Sequence, residues 1–115
     1  SNTDLLLGIF FHKLHIGNIK IGNINWNHLT CDISFIIGDK KFLRKGIGTL
    51  AIKKMVNFAF KKLRLKKINS GYYSNNIASK KVLKKCGFTI EGRRRKNITF
   101  KGKRIDCVLT GIFYK

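Results

Sequence analysis

The feature that most constrains this chain is a change of hydrophobic period near position 49. Before it, apolar residues come in short β-branched or aromatic runs over Leu5–His12, Ile16–Ile24 and Thr30–Ile37. The polar segments HKLH and NWNH separate these runs. Such runs predict three strands. After it, Leu50, Ile52, Met55, Val56, Ala59, Phe60 and Leu63 line one stripe, while Lys53, Lys54, Asn57, Lys61 and Arg64 fill the other side. That spacing predicts an amphipathic helix of about four turns, lying on a sheet. Lys67–Tyr73 returns to a strand. Asn75 or Asn76 can N-cap a second helix over Ile77–Cys86, with Lys84 and Lys85 in its last turn and Gly87 just beyond it; these are favourable end residues. Strands Phe88–Phe100 and Arg104–Tyr114 follow, joined by a Lys101–Gly102–Lys103 turn. The order βββ-α-β-α-ββ predicts an α/β fold with a mixed sheet.

The 115 residues suit a single domain, and an apolar share of 43% is enough for a packed core. No apolar run approaches the ~18–20 residues of a membrane span, and no charged-then-apolar leader opens the chain, which reads as soluble and unprocessed. Three widely spaced cysteines, Cys31, Cys86 and Cys107, form no metal-ligand spacing or disulfide framework. No metal is expected, and a reducing cytoplasm is the natural setting. The conspicuous number is a net charge of +20, from 25 Lys and Arg against five acids. Such a field favours anionic partners. The accompanying excess of Lys, Ile, Asn and Phe is also what compositional drift in an AT-rich genome would produce.

The chemistry concentrates after the third strand. The segment Arg44-Lys45-Gly46-Ile47-Gly48-Thr49 is a basic, glycine-containing turn entering a helix. Unpaired backbone N–H groups and the positive end of the helix dipole suit a diphosphate there, and glycine lets the backbone approach it closely. The spacing fits neither a Walker loop nor a dinucleotide fingerprint. The second helix opens with Asn76-Ile-Ala-Ser79 and closes into a strand through Lys85-Cys-Gly-Phe88.

Together these segments resemble the GNAT superfamily of acyl-CoA-dependent N-acyltransferases, over roughly residue 17 to the C-terminus. Glu91-Gly92 and the Asp106-containing last strand are similar to the ribosomal-protein N-acetyltransferase branch and related sugar-amine acetyltransferases. The resemblance implies a mostly antiparallel sheet flanked by helices. It also implies acetyl-CoA as co-substrate and direct attack by a primary amine in a ternary complex. Phe35, Ile36 and Ile37 would run along the pantetheine. Arg44, Lys45, Gly46, Ile47, Gly48 and Thr49 would hold the diphosphate, and Asn76, Ser79 and Lys85 would complete the cofactor side. The acceptor is a protein N-terminus, an amino-sugar nucleotide or another small amine, and an anionic one would suit the charge; a homodimer is compatible.

Three departures stand out. The first position of the loop signature falls on Leu43. The tyrosine that many members use to protonate the leaving thiolate falls on Leu83. The strand and helix pair that open family domains have no counterpart, so the domain is expected to be truncated or divergent at its N-terminus. For proton transfer, Asp32 is the candidate base, with Glu91 and Asp106 as alternatives. Ser79 is the candidate acid, with Tyr72 and Tyr73 as substitutes. Cys86 and Cys107 read as small buried hydrophobes, and Trp26 and His28 as turn residues. The Arg93-Arg-Arg-Lys96 run reads as a solvated edge strand or as a dock for an anionic acceptor. The competing reading is a non-catalytic basic module that binds nucleic acid, or an inactive relative that keeps CoA.

Overall fold

The computed structural model describes residues 4–38, 41–42 and 45–115. Strands β1 (Leu5–Phe11), β2 (Leu14–Asn25) and β3 (Thr30–Ile37) precede helix α1 (Ile47–Lys61). Strand β4 (Lys67–Tyr73), helix α2 (Ile77–Lys85) and strands β5 (Thr89–Phe100) and β6 (Lys103–Phe113) follow. The six strands form one sheet in the order β1-β2-β3-β4-β6-β5, antiparallel throughout except for β3 beside β4. This is the mixed α/β arrangement that the period change predicts.

Local chemistry sets the turns. β1 and β2 join through His12 and Lys13, both at positive φ, and β5 and β6 through Lys101 and Gly102 at φ 48° and 78°. Paired positive φ values match the twist of two-residue hairpins. The β1–β2 link is therefore tighter than the four-residue HKLH segment suggests. Between β2 and β3, the Asn25 side chain accepts hydrogen bonds from the N–H groups of Asn27 and His28 at 3.0 Å each, an Asx turn. Helix α2 ends in a Schellman motif: Gly87 at φ 95° donates to the Lys84 carbonyl, and Phe88 reaches back to that of Leu83.

Both helices lie on one face of the sheet. Helix α1 buries Ile52, Val56, Ala59 and Phe60 against Ile21, Ile33 and Ile68, and α2 adds Val82 and Leu83 to the same core. No helix among the described residues covers the other face, where Leu6, Phe10 and Ile36 are 70%, 63% and 74% exposed. No described helix is long and apolar enough to cross a membrane.

The sheet is weakest in its middle. β3 and β4 pair only through Thr30↔Lys67, Cys31↔Ile68 and Asp32↔Asn69, although both strands run on past that point. At the parting, the buried Ser70 hydroxyl donates to the Ile33 carbonyl at 2.7 Å, and the Thr110 hydroxyl donates to the Ser70 carbonyl at 2.7 Å. Side chains thus take over where the backbone ladder stops.

Candidate active site

Gly46 caps α1 at φ 77° and ψ 10°, with no side-chain cap and no acidic residue in the first turn. The helix begins at Ile47, so Ile47, Gly48 and Thr49 form its first turn rather than the preceding loop. Their N–H groups are the helix's orphan donors, sitting at the positive end of its dipole. Lys45 adds an exposed ammonium beside them, its Nζ 5.7 Å from the Phe11 ring centre. Arg44 and Leu43 lie outside the described residues.

The parting of β3 and β4 leaves backbone groups facing a gap. Because the Ile33 carbonyl points toward β4, so do the peptide groups of Phe35 and Ile37, two and four residues on. The bond from Gly38 N–H to the Ile16 carbonyl on β2, 2.9 Å long, fits the opposite direction for the even positions. Of the three residues assigned to the pantetheine, Phe35 and Ile37 therefore aim N–H groups into the gap. The Ile36 N–H faces β2, and its side chain stands on the open face.

Two recesses open on the described surface. The first, about 830 Å³, lies between the start of α1, the end of β4 and the start of α2, and is lined by Thr49, Tyr73, Asn76 and Lys85 among others. Asn76 is the N-cap of α2, its side chain accepting from the Ser79 N–H at 3.1 Å. Ser79 thus sits in the capped first turn, while Lys81 and Lys85 bring positive charge to the recess wall. Tyr73 also lines it, whereas Tyr72 is buried. Leu83 is buried in the core, and the Cys86 thiol donates to the Thr49 carbonyl at 3.5 Å, linking the two helices.

The second recess, about 500 Å³, lies on the open face over the end of the short β3–β4 ladder; Asp32, Ser34, Asn69, Gly71, Glu91 and Arg94 line it. Asp32 Oδ2 accepts from the Asn23 amide at 2.8 Å, which leaves Oδ1 without a partner among the described residues. Glu91 is placed by a device the sequence reading missed. It lies over Gly111, where an added Cβ would come within 2.7 Å of Glu91 Oε2. Lys67 holds Glu91 Oε1 at 2.8 Å, and Oε2 is without a partner among the described residues. Since Asp32 pairs with Asn69 and Asn69 with Gly111, the two carboxylates flank Asn69 across neighbouring strands.

Asp32, the candidate base, lines the second recess, whereas Ser79, the candidate acid, lines neither, so the two are not brought together. Asp106 serves another purpose. Its Oδ1 accepts from the Lys96 N–H at 2.9 Å and its Oδ2 from Arg93 Nε at 3.1 Å. These bonds hold its carboxyl below the usual carboxylate range, the Lys96 bond foremost, and pin a bulge at the edge of the sheet. The bulge, with Lys96 at φ 50°, also interrupts the period of two that a regular strand would keep through this run: Arg93 and Arg94 oppose Val108 and Cys107, and the pairing resumes only at Ile98. Burial raises the thiol pKa of Cys31 to about 12 and also pushes up that of Cys86, so neither is a ready thiolate nucleophile.

Known proteins match this arrangement. The family described as "Acetyltransferase (GNAT) domain" matches residues 2–89. The Bacillus subtilis (strain 168) protein named "Probable N-acetyltransferase YjcK" is 42% identical over 64 residues, 56% of this chain and 35% of that protein. A second protein of that organism, "Putative ribosomal N-acetyltransferase YdaF", is 29% identical over 101 residues, 88% of this chain and 55% of that protein. A solved structure described as "Crystal structure of Probable acetyltransferase" superposes with a TM-score of 0.87 at 26% identity, covering 96% of this chain and 62% of its own. The chain spans 35% and 55% of the lengths of the two curated relatives.

Proposed function

The chain belongs to the acetyltransferase (GNAT) domain family, and from that premise we propose that it transfers an acetyl group from acetyl-CoA to a primary amine. The observation that carries this reading is the parting of β3 and β4 beside an uncapped helix N-terminus. Bound acetyl-CoA would supply an activated thioester. The N–H groups of Ile47, Gly48 and Thr49, with the Lys45 ammonium, would hold its diphosphate, and Arg44 belongs to the same segment. The gap-facing N–H groups of Phe35 and Ile37 would align the pantetheine arm, and one of them would steady the thioester oxygen as it gains negative charge. Asn76, Ser79 and Lys85 would border the rest of the cofactor.

Asp32 is the proposed base, because it lines the recess over the ladder's end and its Oδ1 has no partner among the described residues. It would take the proton of an incoming ammonium, leaving a neutral amine to attack. Both substrates are then held together, so positioning supplies much of the rate and no covalent enzyme intermediate is needed. Ser79 remains the proposed proton donor to the departing sulfur. A CoA thiol has a pKa of roughly 8.5, so a strong acid is not required. The name of the YdaF relative supports a ribosomal protein as one acceptor class, alongside amino-sugar nucleotides and other small amines.

Thiol release from acetyl-CoA against a panel of peptides, polyamines and amino sugars tests the proposal. Thermal melting with CoA tests the cofactor half alone, since a ligand of the native state raises the melting temperature. No thiol release with any acceptor, together with a melting curve unmoved by CoA, would overturn it.

A further inference from the structure

The recess over the end of the β3–β4 ladder holds charges of both signs, and they are arranged unequally. Its two carboxylates are each fixed through one oxygen, Asp32 by Asn23 and Glu91 by Lys67, with the second oxygen unpartnered among the described residues. Its arginine is different. Arg94 lines the recess, is exposed, and makes no ion pair or hydrogen bond among the described residues, although Glu91 shares its strand. The neighbouring Arg93 is committed to Asp106 and Glu91 to Lys67, so Arg94 is left as the free guanidinium at this wall. Its side chain enters on the open face opposite Cys107, beyond Gly92, where an added Cβ would meet nothing within 4 Å. Gly92 therefore puts no side chain between the guanidinium and the cavity.

A recess that pairs partnerless carboxylate oxygens with a partnerless guanidinium is complementary to a molecule carrying both an ammonium and an oxyanion. Carboxylates accept from ammonium, while the planar guanidinium fork matches carboxylate and phosphate oxygens. We propose that the acceptor of this protein is an anionic amine, its ammonium held at Asp32 and its carboxylate or phosphate held by Arg94. The inference rests on the acetyltransferase reading for the meaning of "acceptor", but the recognition itself requires no turnover.

Calorimetric binding with matched probes tests it, on the free protein and again with CoA added. One pair is 4-aminobutyrate against its amide, and the other is phosphoethanolamine against ethanolamine. The wild-type protein should prefer the oxyanion-bearing member of at least one pair by about tenfold, the scale of one charge-assisted hydrogen bond. Which pair shows the preference separates a carboxylate from a phosphate. Arg94→Gln should collapse that preference, and Arg94→Lys should restore part of it. Arg95→Gln removes the same charge from the next residue, which does not line the recess, and should leave the preference intact. Equal affinity for both members of both pairs, or equal loss in Arg94→Gln and Arg95→Gln, would overturn the inference. Its failure is distinct from that of the wider reading. A melting temperature unmoved by CoA removes the acetyltransferase function, whereas a flat probe preference removes the anionic acceptor alone.

Discussion

Gly46 holds a left-handed backbone at the mouth of α1, and an added side chain there would meet no neighbour within 4 Å. A β-branched residue would thus be resisted by the backbone conformation itself, at about 1–3 kcal/mol, and would stand where an anion must approach. Gly46→Val should abolish the rise in melting temperature caused by CoA while leaving far-ultraviolet circular dichroism unchanged; an undiminished rise would place the diphosphate elsewhere. With Asp32 as the proposed base, Asp32→Asn should slow turnover by about 10²–10⁴ near neutral pH, the range of general base catalysis. The defect should shrink at high pH, where the amine loses its proton unaided. Ser79→Ala should cost about tenfold or less. Paired pH–rate profiles check both; an unaltered Asp32→Asn profile, or a thousandfold loss in Ser79→Ala, would reassign them. Gly46, Asn76 and Gly87 were legible in the sequence because caps and turns are written within a few residues. The roles of Glu91 and Asp106 were not, because each depends on which residue of another strand stands opposite.

Among the elements, the junction of β3 with β4 decides the site. Two hydroxyls, those of Ser70 and Thr110, bridge the sheet where the ladder ends. Ser70→Ala leaves the buried Ile33 carbonyl without its donor and should lower stability by about 1–3 kcal/mol. Denaturant melts measure that loss. If the gap depends on this bridge, CoA affinity should fall as well, and unchanged CoA affinity would show that the gap is held by other packing. The elements themselves were legible: a period of two gives way to 3.6, and the six strands and the two long helices of the described residues stand where the pattern puts them, with ends displaced by at most three residues. The parting was not legible. Apolar alternation reports which face of a strand is buried and is silent on where two parallel strands stop pairing. The bulge at Arg94–Ile98 escaped for a related reason, since a positive φ at Lys96 follows from the pull of Asp106 and not from a local glycine.

For the molecule as a whole, charge is a standing load. Asp4 is lowered by its hydrogen bond from Lys20 and Asp106 by that from the Lys96 N–H. Both folded-state values lie below the unfolded one. Their contribution is therefore present above about pH 4 and is lost as pH falls through the folded values. The melting temperature should drop below pH 4, and the drop should be shallower in Asp106→Asn, which has already lost one contribution; equal slopes would show that this carboxylate carries none of it. The β1–β2–β3 meander and the β4–β6–β5 group are each rich in pairing, and a parallel ladder of three residue pairs, with the Ser70–Ile33 bridge at its end, joins one to the other. Such a joint divides the sheet into two units that can open separately. In hydrogen–deuterium exchange, the amides of Phe35 and Ile37 should exchange with the fastest class of strand amides, and those between β2 and β3 should be slow. A ligand wedged between the halves would then act as the missing rungs, turning two independently breathing units into one and slowing exchange far from any atom it touches.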